Sequence, residues 1–325
     1  MKGDFFLTNW FLEAMRWVYE LTCKLSASGF GSVFATILIC TIILRCLTIF
    51  SDIKTRKSSA DMAAIQPDLQ KLQKRYANDP RKLQMEQSKM MKERGVSMWG
   101  SCLPMLITMP LFFCFIAAFR YWGYEMNLKL LVEDNAMELF QSFKFLWINN
   151  IWQPDNGMYP VLVDGASFLA TPGISNLLYL QDTPGVGEKL VEMGLAVSKV
   201  YRGELLYQLL STDAAISVYN QAIQPFLDLY AGYSNGWFIM SILAGGTNFL
   251  SAWMLQRSQP ATNDQAAKST KWMNYLFPIM SFVFCLTYNA AFAIYWTLSS
   301  ILMIIINLIL NKKFPRAPQV QEDKQ

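Results

Sequence analysis

The sequence predicts an all-α polytopic membrane protein, with five transmembrane helices, a cytoplasmic helical hairpin and an N-terminal interfacial amphipathic helix. Three observations carry that expectation. The apolar residues, 53% of the 325, gather in long runs instead of spreading with one-face periodicity. The charges are sorted by segment, basic in one inter-run stretch and acidic in another. The chain also has no histidine, which excludes His-based triads, His general bases and most zinc sites.

Residues 1–28 read as the interfacial helix. Phe6, Trp10, Met15, Trp17, Val18 and Leu21 recur in helical fashion among Asn9, Glu13, Arg16 and Glu20. Such an aromatic-rich amphipathic helix suits the plane of the membrane interface, or packs against the bundle. The spans follow at 29–50, 99–122 and 237–255, each about long enough to cross a ~30 Å hydrocarbon layer. Trp272–Leu310 is also nearly all apolar, but one helix of that length would be roughly 58 Å long. It therefore reads as two spans, 272–288 and 289–311, meeting near Tyr288–Asn289.

Orientation follows from the loops. Ser51–Met98 holds eleven basic residues against six acidic ones, whereas Gly123–Gly236 holds five against twelve. Basic loops stay in the cytoplasm. The segments 51–98, 256–271 and the basic tail 312–325 are then inside, and 123–236 outside. The N-terminus then lies outside and the C-terminus in the cytoplasm.

Segment 51–98 is polar yet patterned. Met62, Ile65, Leu69, Leu72 and Tyr76 recur at steps of three and four, which is one face of a helix. Asp61 is placed to cap its start. Asn78-Asp79-Pro80 ends it and starts a second helix, with Asp79 as cap and Pro80 at the first helical position. Leu83, Met90 and Met91 give that helix a sparser apolar face, and Gly95 ends it. A plain connector between spans is typically two to eight residues, so a docking or gating role is expected. In the outer segment, Pro154, Pro160, Pro172 and Pro184 break up the first half. Gly187–Tyr233 reads as amphipathic and helical, part of a small cap. The cysteines Cys23, Cys40, Cys46, Cys102, Cys114 and Cys285 lack metal spacing and read as small apolar packing residues.

The outlier is Arg45, inside the first span and roughly 9 Å from its cytoplasmic end at 1.5 Å per residue. A cation in a span costs ~2.5–3.5 kcal/mol on insertion scales. It must face water or a partner, or snorkel to the headgroups, and none of the other spans offers a carboxylate.

The stretch "GSCLPMLITMPLFFCFIAAFRYWG" (Cys102, Pro104, Met109, Pro110) resembles the YidC/Oxa/Alb family of membrane protein insertases. Other landmarks agree in order. They are Arg45, "IQPDLQKLQKRYANDPRK" with Gln66–Pro67, "FLWI" at Phe145–Ile148, "ILAGGTNFL" at Ile242–Leu250 and "MNYLFPIM…AIYWTLSS" at Met273–Ser300. The resemblance covers about 29–153 and 237–312. The chain departs from it at Ser251, Asn289-Ala290-Ala291, Ser299–Ser300 and Ile306, and in the long segment Gln153–Gly236. With no N-terminal lipobox cysteine and no large domain before the first span, the layout is similar to the short bacterial type.

The resemblance implies a hydrophilic groove, open to cytoplasm and lipid and closed outside. Arg45, Thr41, Thr247, Asn248, Ser251, Tyr295, Trp296 and Ser299 would line it. For Tyr295–Trp296 an interface belt or plain packing is the competing reading. The implied partners are nascent membrane proteins as substrates, membrane lipids, the ribosome, the signal recognition particle pathway and the Sec translocon. No cofactor, metal or specific nucleic-acid site is expected. A non-inserting chaperone for Sec-delivered proteins shares all these features. A transporter or channel should show internal repeats, which are absent, and an enzyme should show a nucleophile with a base, a phosphate loop or a metal cluster.

Overall fold

The computed structural model describes residues 6–26, 32–95, 103–171, 185–201, 203–257 and 264–313. Cys102, Pro172, Pro184, part of the predicted loop 256–271 and most of the predicted tail 312–325 lie outside the described residues. Those that are described are mostly helical, with one two-stranded sheet. The chain divides into two compact units. One comprises Met1–Cys40, Phe112–Ala244 and Phe282–Trp296, and the other Thr41–Leu111, Gly245–Ser281 and Thr297–Gln325.

In the first unit, α1 (Phe6–Leu25) buries Phe11, Leu12, Met15, Val18 and Tyr19 along one face. That face packs on α5 (Leu103–Val132). Phe11 stacks on Phe115 with ring centroids 4.2 Å apart, and Tyr19 meets Trp122 edge-on at 5.8 Å. At the flank, Arg16 Nη2 donates to Glu125 Oε2 at 2.6 Å and Nε donates to the same oxygen at 3.0 Å. A second apolar edge of α1, with Trp10, Trp17 and Leu21, is exposed. The sequence ends the second apolar run at Trp122, but α5 continues to Val132. It can do so because Glu125 is neutralised by Arg16, and Asn127 Nδ2 donates back to Gly123 O at 2.9 Å.

The segment after α5 carries α6 (Ala136–Gln141) and then a polar knot that ties helix ends together. The ends belong to α10 (Ile239–Arg257), to α11 (Asp264–Thr287) and to α12 (Ala290–Lys313), and the knot also holds α5 at Phe119. The chain leaves helix at Tyr288–Asn289. Asn289 caps α12 by accepting from Phe292 N at 3.0 Å, and its Nδ2 donates to Phe119 O at 2.9 Å. Asn156 Nδ2 donates to Leu286 O at 2.7 Å, closing the end of α11. Asp155, wholly buried, accepts from Trp237 N at 2.7 Å, Met240 N at 2.6 Å and Trp147 Nε1 at 3.2 Å. It thereby caps α10 from far along the chain. Asn150 and Asn235 exchange bonds of 2.8 and 2.7 Å.

Between Asp155 and α10 the chain departs into the cap and returns. Pro160 pairs with Ser234, and Asn235 N donates to Tyr159 O at 2.9 Å, so the cap has a closed stem. Its α7 (Gly165–Leu169) is capped by Asp164, which accepts from Ser167 N at 3.0 Å and Ser167 Oγ at 2.9 Å. These bonds hold the Asp164 carboxyl below its usual range. Phe168 of α7 stacks on Tyr219 of α9 (Asp213–Leu229) at 5.0 Å.

The helical expectation for Gly187–Tyr233 needs correcting. After α8 (Val186–Glu192) the chain forms a β-hairpin, β1 (Ala196–Tyr201) and β2 (Glu204–Leu209), paired antiparallel from Ala196↔Leu209 to Tyr201↔Glu204. Val197, Val200, Leu205 and Tyr207 favour a pleated strand, and Gly203 at φ 83° supplies the turn that L-residues resist. Tyr207 lies over Gly187, where a side chain would collide with its ring.

In the second unit, α2 (Val33–Ala64) runs unbroken from the apolar stretch into the basic segment. Asp61 therefore lies inside a helix and not at its start. The break comes at Ile65, because Pro67 cannot donate to the turn before it and its ring crowds that turn. There α3 (Gln66–Arg75) begins, and α4 (Pro80–Glu93) returns antiparallel to it. Asp79 caps α4 by accepting from Lys82 N at 3.1 Å, and Arg94 reaches Asp68 at 3.1 Å to tie the open end. The parts of α10, α11 and α12 in this unit expose Leu250, Trp253, Ile279, Ile301, Ile305 and Leu308. Apolar side chains turned outward on several helices mark a surface made for an apolar surrounding.

Among the described residues one helical segment, Ala290–Ile309, is long and apolar enough to cross a membrane by itself. Val33–Ile49, Ile239–Met254 and Tyr275–Thr287 are shorter apolar stretches. Of the six cysteines the five described are free, and Cys114 and Cys285 are buried.

Candidate functional site

Arg45 sits on α2, four residues after Thr41 and on the same face. Its guanidinium is half-buried and donates from Nε to Ser299 Oγ of α12 at 3.0 Å, with Nη2 directed at the same oxygen. Among the described residues no carboxylate reaches it. A serine hydroxyl accepts a hydrogen bond but brings no charge, so the cation stays formally uncompensated. Thr41 is fully buried and Ser299 nearly so, which places this polar pairing inside the unit.

Asn248 of α10 donates from Nδ2 to Ser281 Oγ of α11 at 2.8 Å, and Ser281 in turn donates to Phe277 O at 2.8 Å. Thr247 and Ser251 flank it on α10, both half-buried. The second unit thus holds six of the eight predicted groove residues, and it joins Arg45 to Ser299 directly. Tyr295 and Trp296 belong to the first unit. There Phe115 stacks on Tyr295 at 5.1 Å and Phe112 meets Trp296 at 5.0 Å, within an aromatic cluster that includes Phe292. Trp296 Nε1 is buried with no hydrogen-bond partner among the described residues. Such a donor calls for water or a passing acceptor.

Four polar residues were not among the predicted groove residues. Ser281 is the partner of Asn248, and Thr297, Ser300 and Asn307 of α12 are all buried. Ser300 and Asn307 are seven apart and share a face. The signal was present, since polar residues within apolar runs are expensive unless they face a polar interior. In the helix pair, Gln66 and Pro67 open α3, and Asp79 and Pro80 open α4.

Residues 25–186 and 204–317 match the family described as 60Kd inner membrane protein. The chain belongs to this family, the YidC/Oxa family. Named YidC/Oxa relatives include the "Membrane protein insertase YidC" of Clostridium perfringens (strain 13 / Type A), 30% identical over 167 residues, covering 51% of this chain and 64% of that protein. The protein of the same name in Clostridium tetani (strain Massachusetts / E88) is 28% identical over 149 residues, 46% of this chain and 61% of that one. That of Chlorobaculum parvum (strain DSM 263 / NCIMB 8327) is 33% identical over 120 residues, 37% of this chain and 18% of that one. The chain thus spans less than two thirds of the length of these relatives. The interruption in the YidC/Oxa family match, 187–203, falls on α8 and β1 of the cap.

Proposed function

We propose that the chain is a membrane protein insertase. Five apolar helices cross the plasma membrane, with the N-terminus outside, and the α3–α4 pair and the C-terminus lie in the cytoplasm. The exposed apolar edge of α1, with Trp10 and Trp17, rests in the outer interface. Thr41, Arg45, Thr247, Asn248, Ser251 and Ser299 of the second unit line a polar groove. The short polar tail of a nascent membrane protein enters this groove while its apolar segment passes into lipid. The ribosome, the signal recognition particle pathway and the Sec translocon are the delivering partners.

The observation that carries this reading is Arg45, a cation on an apolar helix bonded to a neutral serine. With no resident anion the field at the site attracts the acidic residues of an arriving tail. Each can be read directly in vesicles reconstituted without the translocon, by protease protection of a single-span substrate with an acidic tail. Arg45→Ala is expected to lower insertion at least tenfold, on the order of one charge-assisted hydrogen bond, and Arg45→Lys to retain most of it. Undiminished insertion by the alanine variant would show that the charge is dispensable. No insertion by the unaltered protein in these vesicles would favour a chaperone acting only on Sec-delivered proteins.

A further inference from the structure

We infer that the outer face of α4 is a docking surface for the anionic lipid headgroups of the membrane that holds the chain. The pair α3–α4 (with its closing Arg94 and Gly95) carries eight Lys and Arg and four Asp and Glu, an excess of four positive charges. Asp68, Glu86 and Glu93 line the cleft between the helices together with Lys71, Arg75 and Lys89; Asp68 meets Arg94, and Asp79 is occupied as the cap of α4. The side of α4 turned away from that cleft carries no carboxylate. Arg81, Met85 and Lys92 lie there at steps of four and seven along one helical face, with Lys82 and Lys89 at its edge, and all are exposed. Among the described residues Arg81, Lys89 and Lys92 form no ion pair. Met85, at the centre of the stripe, is 71% exposed, an unbranched apolar side chain ringed by cations.

Cations around an exposed apolar side chain on a helix fit a lipid surface, which takes the methionine into its acyl boundary and the lysines among its phosphates. A nucleic-acid face would interleave aromatic residues for base stacking, and this stripe has none. The attachment of the pair decides the partner. α2 leads into it without a break from an apolar stretch that ends at Ile49, and only nine residues separate Glu93 from Leu103, where α5 begins. Tethered at both ends to membrane-crossing helices, α4 meets that bilayer at high effective concentration. The inference rests on the proposed topology, in which those helices cross the membrane.

The test is amide hydrogen exchange of the full chain in nanodiscs of phosphatidylcholine alone, or with about a third phosphatidylglycerol. The α4 amides are expected to exchange on the order of tenfold more slowly in the anionic discs, while those of α9 in the cap serve as reference. The protection should vanish at high salt and in the triple variant Arg81→Gln, Lys89→Gln, Lys92→Gln, whose glutamines keep the helix. Met85→Gln should reduce it. Equal exchange in the two lipids would overturn the inference. So would protection by an RNA oligonucleotide or an acidic peptide added to neutral discs, if anionic lipid gave none. The readout is lipid contact and not insertion, so its failure leaves the insertase reading standing, and failure of the Arg45 series leaves this one standing.

Discussion

Removing the Asp155 carboxylate should loosen the knot that joins three helix ends, and the size of the effect follows from its bonds. Asp155→Ala strands Met240 N–H, Trp237 N–H and Trp147 Nε1, the first of them fully buried. Each buried donor left without a partner costs about 1–3 kcal/mol, and loss of a helix cap typically ~1 kcal/mol. Partial hydration beside the exposed Trp237 brings the sum to about 3–4 kcal/mol. Asp155→Asn keeps one acceptor but turns two N–H donors toward the backbone N–H groups, so about half of that loss is expected.

The protein in detergent would be heated while intrinsic tryptophan fluorescence is followed, with limited proteolysis run alongside. The alanine variant should unfold on the order of 5–10 °C lower, with new cleavage between Trp147 and Pro160. A variant melting within a degree of the unaltered protein would refute the assignment of the knot as an energetic tie. Gly236→Ala is an independent check on the same spot. Gly236 has φ 104°, and an added methyl would strike the Asp155 carboxylate, so it too should lower the midpoint.

Two further outcomes follow. Glu125→Gln should destabilise the α1–α5 contact by about 3 kcal/mol, because it leaves Arg16 charged and buried, whereas Arg16→Met with Glu125→Leu should recover most of the loss; paired melting curves and a double-mutant cycle check this. In the cap, Glu188 accepts from Tyr207 OH at 2.6 Å, which pushes the tyrosine from 10.0 up to about 12. An unfolded cap loses that proton from about pH 10 upward while the folded cap keeps it to about 12. This contribution is therefore whole below pH 10 and lost between 10 and 12. Phenolate absorbance should show one tyrosine titrating late that is missing from Tyr207→Phe.

Local chemistry was legible in the sequence, and distant pairing was not. Asp79-Pro80 announces a helix start within three residues, and the helix starts there. The chain break at Tyr288–Asn289 follows from length alone. Ser299 was named as a polar residue of the last span, but its bond to Arg45 joins positions 254 apart, which no local pattern encodes. The Asn150–Asn235 exchange spans 85 residues for the same reason. The cap hairpin was misread because its apolar residues fit a helical stripe nearly as well as alternation, and pairing across Gly203 decided between the two. Asp61 looked like a cap because Ser, Asp and Asn often are one. With no helix-breaking residue before it, α2 simply ran through.

Arg16 in the first unit and Arg45 in the second are handled in opposite ways. Arg16 meets Glu125 through two hydrogen bonds, and the pair is nearly sealed from solvent, with side-chain exposures of 12% and 9%. Its charge is spent on fixing α1 to α5, and no field remains for a visitor. Arg45 meets a hydroxyl group instead. Had fold stability been the only demand, a carboxylate at position 299 would satisfy the guanidinium as Glu125 satisfies Arg16. Ser299 orients the guanidinium without cancelling it, which keeps a positive field at the site while holding the side chain in place. Replacing Ser299 by aspartate then separates the two uses of an arginine. The variant should fold at least as stably as the unaltered protein and insert acidic-tailed substrates poorly, whereas Ser299→Ala should lose only the orientation. Stable folding with undiminished insertion by Ser299→Asp would mean that the uncompensated charge has no part in capture.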